Sequence, residues 1–288
     1  MTLPRLISGL SEIADDYDVV LCDIWGVIHN GVAAYPEACA ALERFNTGKG
    51  PVVLVSNSPR PSPYVYPQLD SFGVPRAAWS AFVSSGDATR TLLAKRAPGP
   101  AWAIGPDRDQ PLYEGLGLEF AGPEDAAFIA CTGPFDDEVE TPDDYEDRLR
   151  VCARRGLLMI CANPDKVVQR GSRLIYCGGA LADLYAAMDG AVLMAGKPFA
   201  PIYAMALKAA EEKLGRPLDR KRVLCIGDGV VTDVRGANDQ TLDCLFIARG
   251  IHGDAAIGAD GRLDAGKTAA LLAREDQTAP LAMADLVW

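Results

Sequence analysis

The sequence predicts an α/β fold: a Rossmann-like parallel-sheet core that carries an inserted α/β cap domain. Three observations lead there. Short apolar runs alternate with helically spaced segments from residue 19 onward, the pattern of a parallel sheet covered by helices. The alternation pauses at the linker APGPA (97–101), restarts, and changes character again around 190–197. At 288 residues the chain is also long for one hydrophobic core. The expected division is therefore 1–97 with 192–288 for the core and 98–191 for the insert.

The elements follow in order. Residues 4–14 have the spacing of a short helix. Val19 to Cys22 is an apolar run that ends at Asp23, the mark of a buried strand. Residues 33–45 repeat apolar side chains at helical spacing, and Pro51 to Ser56 forms a second buried strand. Tyr64 to Phe72 reads as helix, Ala81 to Ser84 as a third strand, and Gly86 to Arg96 as helix. In the insert, strands are expected at 101–104, 126–131 and 157–161, with helices near 107–114, 142–154 and 180–188. Val192 to Met194 leads into Gly196-Lys197-Pro198. A helix at 200–214 and strands Arg222 to Ile226 and Cys244 to Ile247 complete the core, with the last residues a tail packed on it.

Hydrophobic residues make up 49% of the chain and charged residues 23%, with a net charge of −11. That balance argues against nonspecific nucleic-acid binding, which uses basic patches to release counterions. An anionic small molecule stays compatible, because the charge of a site is local and can include a metal ion. The eight cysteines form no C-x-x-C pair and mostly sit in apolar runs, as buried thiols in a reducing compartment do. The N-terminus lacks the pattern of a signal peptide, and no apolar run approaches the ~18 residues that span a bilayer. The expectation is a cytoplasmic protein without a membrane partner.

Four elements carry chemistry: Asp23 after the first strand, Ser56 after the second, Lys197 in GKP, and IGDGVVTD with Asp228 and Asp233. Taken singly, each has an ordinary structural reading as a cap, a turn residue or a solvated lysine. Together they lie at strand ends, where parallel sheets bind ligands. A carboxylate approaching a phosphate monoester meets about 4 kcal/mol of repulsion per unit pair at ~4 Å and an effective dielectric of ~20. Hard carboxylate oxygens from Asp23 and Asp228 suit Mg²⁺, which offsets that repulsion. Ser56 can hydrogen-bond a phosphoryl oxygen, Lys197 can neutralise charge on it, and Asp233 can orient a metal-bound water or hold Lys197.

This set resembles the haloacid dehalogenase superfamily over nearly the whole chain. DIWGV stands where that family has D-x-D-G-[TV]. VVLVSN matches its Ser/Thr strand, GKP its lysine, and IGDGVVTDVRGA its acidic motif G-D-x-x-x-T-D-x-x-G-A. The insert, with NPD at 163–165 and GGALADLY at 178–185, resembles the class IIA cap of nitrophenyl-, pyridoxal- and nucleotide-sugar-phosphatase-like proteins. The resemblance implies a Mg²⁺-dependent phosphatase of a small phosphorylated metabolite, with Asp23 as nucleophile. It also implies metal ligands at Asp23, Asp228, Asp233 and the main-chain carbonyl of Trp25. A homodimer formed through the cap is implied in the same way.

Trp25 departs from the pattern. In the family's phosphatases that position is an aspartate, which protonates the leaving oxygen and then activates water. General acid–base catalysis is worth about 10²–10⁴-fold, so its loss slows the reaction without abolishing attack. Three answers stay open. His29 could act as a surrogate acid, since imidazole titrates near neutrality; substrates with good leaving groups need none; or the protein binds or transfers phosphoryl groups without hydrolysing them. Trp25 is also a candidate aromatic wall of the ligand pocket. His29, Asn57, Arg60 in SNSPRP and Asn163 past the strand at 157–161 are further candidate ligand contacts, Arg60 as a fork for an anion.

GRLDAGKT, Gly261 to Thr268, fits the P-loop pattern letter for letter. That motif works only between a buried strand and a helix with a following sheet. GDAAIGAD upstream is not a strand and few residues follow, so the segment reads as a loop entering a helix at 268–274.

Overall fold

The computed structural model describes residues 2–170 and 173–288, with the side chain of Gln169 left aside. The chain forms two compact units, Met1–Ser56 with Tyr66–Val83 and Tyr203–Trp288, and Asn57–Val65 with Ser84–Ile202. The seven-stranded and four-stranded sheets are parallel wherever their register is given, as the alternation of strands and helices requires. The α/β class expected from the sequence is the one observed.

The first unit begins with β1 (Arg5–Leu6), β2 (Val19–Cys22), α1 (Pro36–Gly48), β3 (Val52–Ser56), α2 (Tyr66–Phe72) and β4 (Ala81–Ser84). Helix α1 starts with Pro36 in its first turn, where the missing N–H costs nothing. It buries Leu42 and Phe45 completely, each worth roughly 1.5–3 kcal/mol. Helix α3 (Ser85–Ala94) starts at a reciprocal capping box between Ser84 and Asp87.

The second unit is a four-stranded sheet of β5 (Ala101–Ile104), β6 (Phe128–Cys131), β7 (Leu158–Cys161) and β10 (Ala191–Met194), in the order β10-β7-β6-β5. Helices α4 (Glu146–Arg154) and α5 (Gly178–Ala186) bury Leu149, Cys152, Leu181 and Tyr185 on one face. Leu93 of α3 joins Leu112 and Tyr113 on the other face, over Phe128, Ala130 and Ile160. An antiparallel hairpin, β8 (Val167–Arg170) and β9 (Arg173–Tyr176), follows β7. Arg170 and Arg173 of the hairpin pair with Asp137 and Glu138.

Helix α6 (Ala200–Leu214) leads back to β11 (Val223–Gly227), α7 (Arg235–Asp239), β12 (Asp243–Ile247), α8 (Ala265–Ala273) and β13 (Leu281–Met283). The seven-stranded sheet runs β1-β13-β12-β11-β2-β3-β4. The eight cysteines are all buried and none lies in a disulfide. Among the described residues no helix is long and apolar enough to cross a membrane.

Two expectations are corrected. Residues 4–14 are not a helix. Arg5–Leu6 pairs with β13, and two single 3₁₀ turns follow at Leu10–Glu12 and Ala14–Asp16. Leu10, Ile13 and Ala14 are buried at helical spacing, but Leu10 N–H bonds to the carbonyl of Val287, far along the chain. The terminal segment is likewise a sheet strand, β13, and not merely a packed tail.

Candidate active site

The geometry follows from sheet register. Cys22 lies opposite Ile226 on one side and Leu54 on the other, so β2 runs between β11 and β3. The residues just past these strands therefore leave the sheet at one edge, the carboxyl edge where parallel sheets bind ligands. Asp23 follows β2, and its N–H donates to the carbonyl of Ile226 (2.8 Å). Ser56 closes β3 and Asp228 follows β11.

Three carboxylates converge there. Asp23, Asp228 and Asp233 are 8%, 4% and 5% exposed, and each offers an oxygen within 4.8 Å of the others. Asp233 reaches the cluster from a π-helical turn, Val230–Val234. Its Oδ2 accepts the Gly229 N–H (3.0 Å), and Asp228 Oδ2 accepts the Ile251 N–H (2.6 Å). Three buried anionic groups at this spacing repel one another strongly unless a cation lies among them. The donor set is all hard oxygen, so it fits Mg²⁺.

Glycines shape the cluster. A Cβ on Gly26 would lie 2.1 Å from Asp228 Oδ2, and one on Gly250 2.0 Å from the same atom. Gly26 also has φ +90°, a conformation side chains rarely adopt. The two backbones thus close on the Asp228 carboxylate from Gly26 and Gly250. Sequence reasoning missed Gly250, Ile251 and His252. They follow β12 with no motif of their own, and only the parallel pairing of β11 with β12 brings them to Asp228. Burial lowers the pKa of His252, and the nearby Asp228 main chain opposes that shift.

Trp25 and His29 pack together. Their ring centroids are 5.2 Å apart, edge to face, and His29 meets Phe72 in the same way at 4.9 Å. Gly31, at φ +82°, presses on the indole: a Cβ there would lie 2.5 Å from the Trp25 ring. His29 is buried, its Nδ1 accepts the Gly31 N–H (3.0 Å), and burial lowers its pKa to about 4. Such an imidazole is neutral at pH 7 and has no proton in the useful range to give. Tyr35 and Tyr203, whose pKa values burial raises first and nearby acids raise further, are equally poor proton donors at neutral pH.

Lys197, Asn57, Arg60 and Asn163 belong to the second unit. Lys197 is 4% exposed. Asn57 is buried, and its amide meets the Lys197 main chain and Asp165. Asn163 folds into an Asx turn, its Oδ1 accepting the Asp165 N–H (3.2 Å). Arg60 is half-buried; burial lowers its pKa, Asp109 opposes that shift and Arg108 adds to it.

The P-loop look-alike is structural. Asp264 caps α8 by accepting the Lys267 N–H (2.7 Å), and Lys267 Nζ donates to the carbonyl of Ile257 (2.6 Å). Thr268 Oγ1 donates back to the Asp264 carbonyl.

Comparison with known proteins agrees with this geometry. Residues 20–119 match the haloacid dehalogenase-like hydrolase model and residues 194–270 a second, HAD-hydrolase-like model. A haloacid dehalogenase-like family hydrolase from Brucella suis 1330 is 44% identical, with 98% of this chain and 100% of that one covered and a TM-score of 0.87. The chain therefore belongs to the haloacid dehalogenase-like hydrolase family. The fold is shared with a possible sugar phosphatase of that superfamily from Cytophaga hutchinsonii ATCC 33406 (16% identity, 99% of each chain, TM-score 0.77). It is shared also with a p-nitrophenyl phosphatase from Archaeoglobus fulgidus (22% identity, 94% and 97% covered, TM-score 0.69). The curated proteins give no match.

Proposed function

We propose that the chain is a Mg²⁺-dependent phosphatase of a small phosphorylated metabolite, acting through an aspartyl-phosphate on Asp23. The observation that carries this reading is the convergence of Asp23, Asp228 and Asp233 within 4.8 Å at the edge where β2 and β11 end. The phosphatase names of structures that share the fold support it, and the insert supports a class IIA assignment with residues 98–191 as cap.

Asp23, Asp228, Asp233 and the Trp25 carbonyl would hold the ion. Bound there, Mg²⁺ supplies positive charge to the phosphoryl oxygens and lowers the repulsion that the nucleophile meets. An Asp23 carboxylate oxygen attacks phosphorus in line. The bond to the leaving oxygen breaks, and its electron pair departs with that oxygen. Ser56 donates a hydrogen bond to a phosphoryl oxygen, and Lys197 and Arg60 neutralise charge. Water then attacks phosphorus, freeing phosphate and restoring Asp23. The indole of Trp25 can neither protonate the leaving oxygen nor activate that water, and it serves as an aromatic wall.

A second reading has its own support. With Trp25 where a base would stand and His29 buried beside it, phospho-Asp23 would hydrolyse slowly. The protein would then pass the phosphoryl group to an acceptor, or bind the phosphorylated ligand without turnover. A panel of phosphate esters assayed with Mg²⁺ and with chelator separates the readings. Metal-dependent phosphate release supports the phosphatase. Trapping of beryllofluoride without turnover favours the binding protein.

A further inference from the structure

Asn57 is 3% exposed, and nearly all the hydrogen-bonding capacity of its side chain is used inside the protein. Oδ1 accepts the Lys197 N–H (2.7 Å). Nδ2 donates to the Lys197 carbonyl (3.1 Å) and to Asp165 Oδ1 (2.9 Å). Only one orientation of the amide does this. Flipped, its oxygen would face a carbonyl and a carboxylate, and its NH₂ would face an N–H. Both amide hydrogens are committed, so a ligand could reach only the second lone pair of Oδ1.

The contact also explains the glycine before the lysine. A Cβ on Gly196 would lie 2.6 Å from Asn57 Oδ1 and 2.5 Å from Ser85 Oγ, a buried hydroxyl with no hydrogen-bond partner among the described residues. Residue 196 must lack a side chain for the amide to come this close. A lysine has a long, flexible stem, so the protein can aim its ammonium only by fixing the backbone from which it springs. Here one side chain grips both polar groups of that backbone residue. Asn57 is also the covalent neighbour of Ser56, and its third bond reaches the turn at 163–165.

We propose that Asn57 is a positioning residue. Its amide fixes the Lys197 main chain and ties it to Asp165, so that the lysine and the 163–165 turn move together. This rests on the phosphoryl-transfer reading of Lys197. Asn57 acts through Lys197, since both of its amide hydrogens are committed inside the protein.

The test uses the full chain with Mg²⁺ and p-nitrophenyl phosphate, together with amide hydrogen exchange at Lys197. Asn57→Ala should lower kcat about 10- to 100-fold while KM moves less than about threefold, because the lysine remains but is misplaced. Exchange at the Lys197 amide should rise about tenfold or more as its acceptor disappears. Asp165→Ala should raise exchange there by about threefold, and Asp165→Asn, whose Oδ1 still accepts from Nδ2, should restore the wild-type rate. The Asp165 pair keeps the proposal testable should Asn57→Ala fail to fold. Wild-type kcat in a folded Asn57→Ala, or wild-type exchange in Asp165→Ala, overturns it. Turnover unchanged in Asp23→Asn would instead overturn the phosphoryl-transfer reading, since the exchange readout does not depend on turnover.

Discussion

The imidazole of His29 packs edge-on against the indole of Trp25, with ring centroids 5.2 Å apart. This pair lies in the loop that follows Asp23, and it ties the unusual residue of that loop to the protein's response to acid.

His29 titrates at about 4 in the folded chain, against 6.5 for the free group, because burial disfavours its charged form. Between those values the unfolded chain binds a proton that the folded chain does not. Stability present above pH 6.5 is therefore lost as pH falls toward 4, by about 3 kcal/mol in all. Urea unfolding midpoints measured across that window should fall in the wild type and flatten in His29→Gln. The pH–rate profile of His29→Gln should keep the wild-type shape, since His29 transfers no proton. A lost limb in that profile would make His29 the acid after all.

Trp25 sets the leaving-group dependence. With no acid at that position, rates across a series of esters should fall steeply as the leaving oxygen becomes more basic. Trp25→Asp should raise turnover of alkyl phosphates at least about tenfold and change good aryl substrates little. A series with the same slope in both proteins would mean that another group already protonates the leaving oxygen.

Asp228 depends on two missing side chains. Gly250→Ala drives a methyl group into Asp228 Oδ2, so it should weaken Mg²⁺ binding about tenfold or more and cost roughly 1–3 kcal/mol of stability. Gly48→Ala, at the end of α1 with open space around it, should leave Mg²⁺ binding unchanged. Calorimetric titration of the metal into both variants decides the point. Equal affinities would remove the packing role of Gly250.

Lys267 tests the false motif. Lys267→Ala removes the bond to the Ile257 carbonyl and should cost about 1 kcal/mol of stability without altering ester turnover. Nucleotide binding that disappears in this variant would restore the P-loop reading.

These sites show what the sequence could and could not disclose. Val19–Cys22, Ala81–Ser84, Ala101–Ile104 and Ala200–Leu214 fall where the apolar runs place them, because each is patterned by its own burial. The acidic cluster was legible too, since Asp23 and Asp228 end strands whose period is visible locally. β1, β13 and the hairpin 167–176 were not. β1 and β13 are three residues long or less and meet only by long-range pairing, and β9 sets the exposed Leu174 and Tyr176 on either side of the buried Ile175, too short an alternation to mark a core face. The grip of Asn57 on Lys197 spans 140 positions in sequence, and no spacing rule anticipates it.

The central claim is that Asp23 takes the phosphoryl group onto its own carboxylate. The direct measurement mixes the protein with Mg²⁺ and an aryl phosphate, quenches with acid within milliseconds, and maps the modified peptide by mass. The account predicts an acid-stable, base-labile phosphoryl group on Asp23, absent from Asp23→Asn together with ester turnover. Phosphate release that leaves Asp23 unlabelled and continues in Asp23→Asn would contradict it.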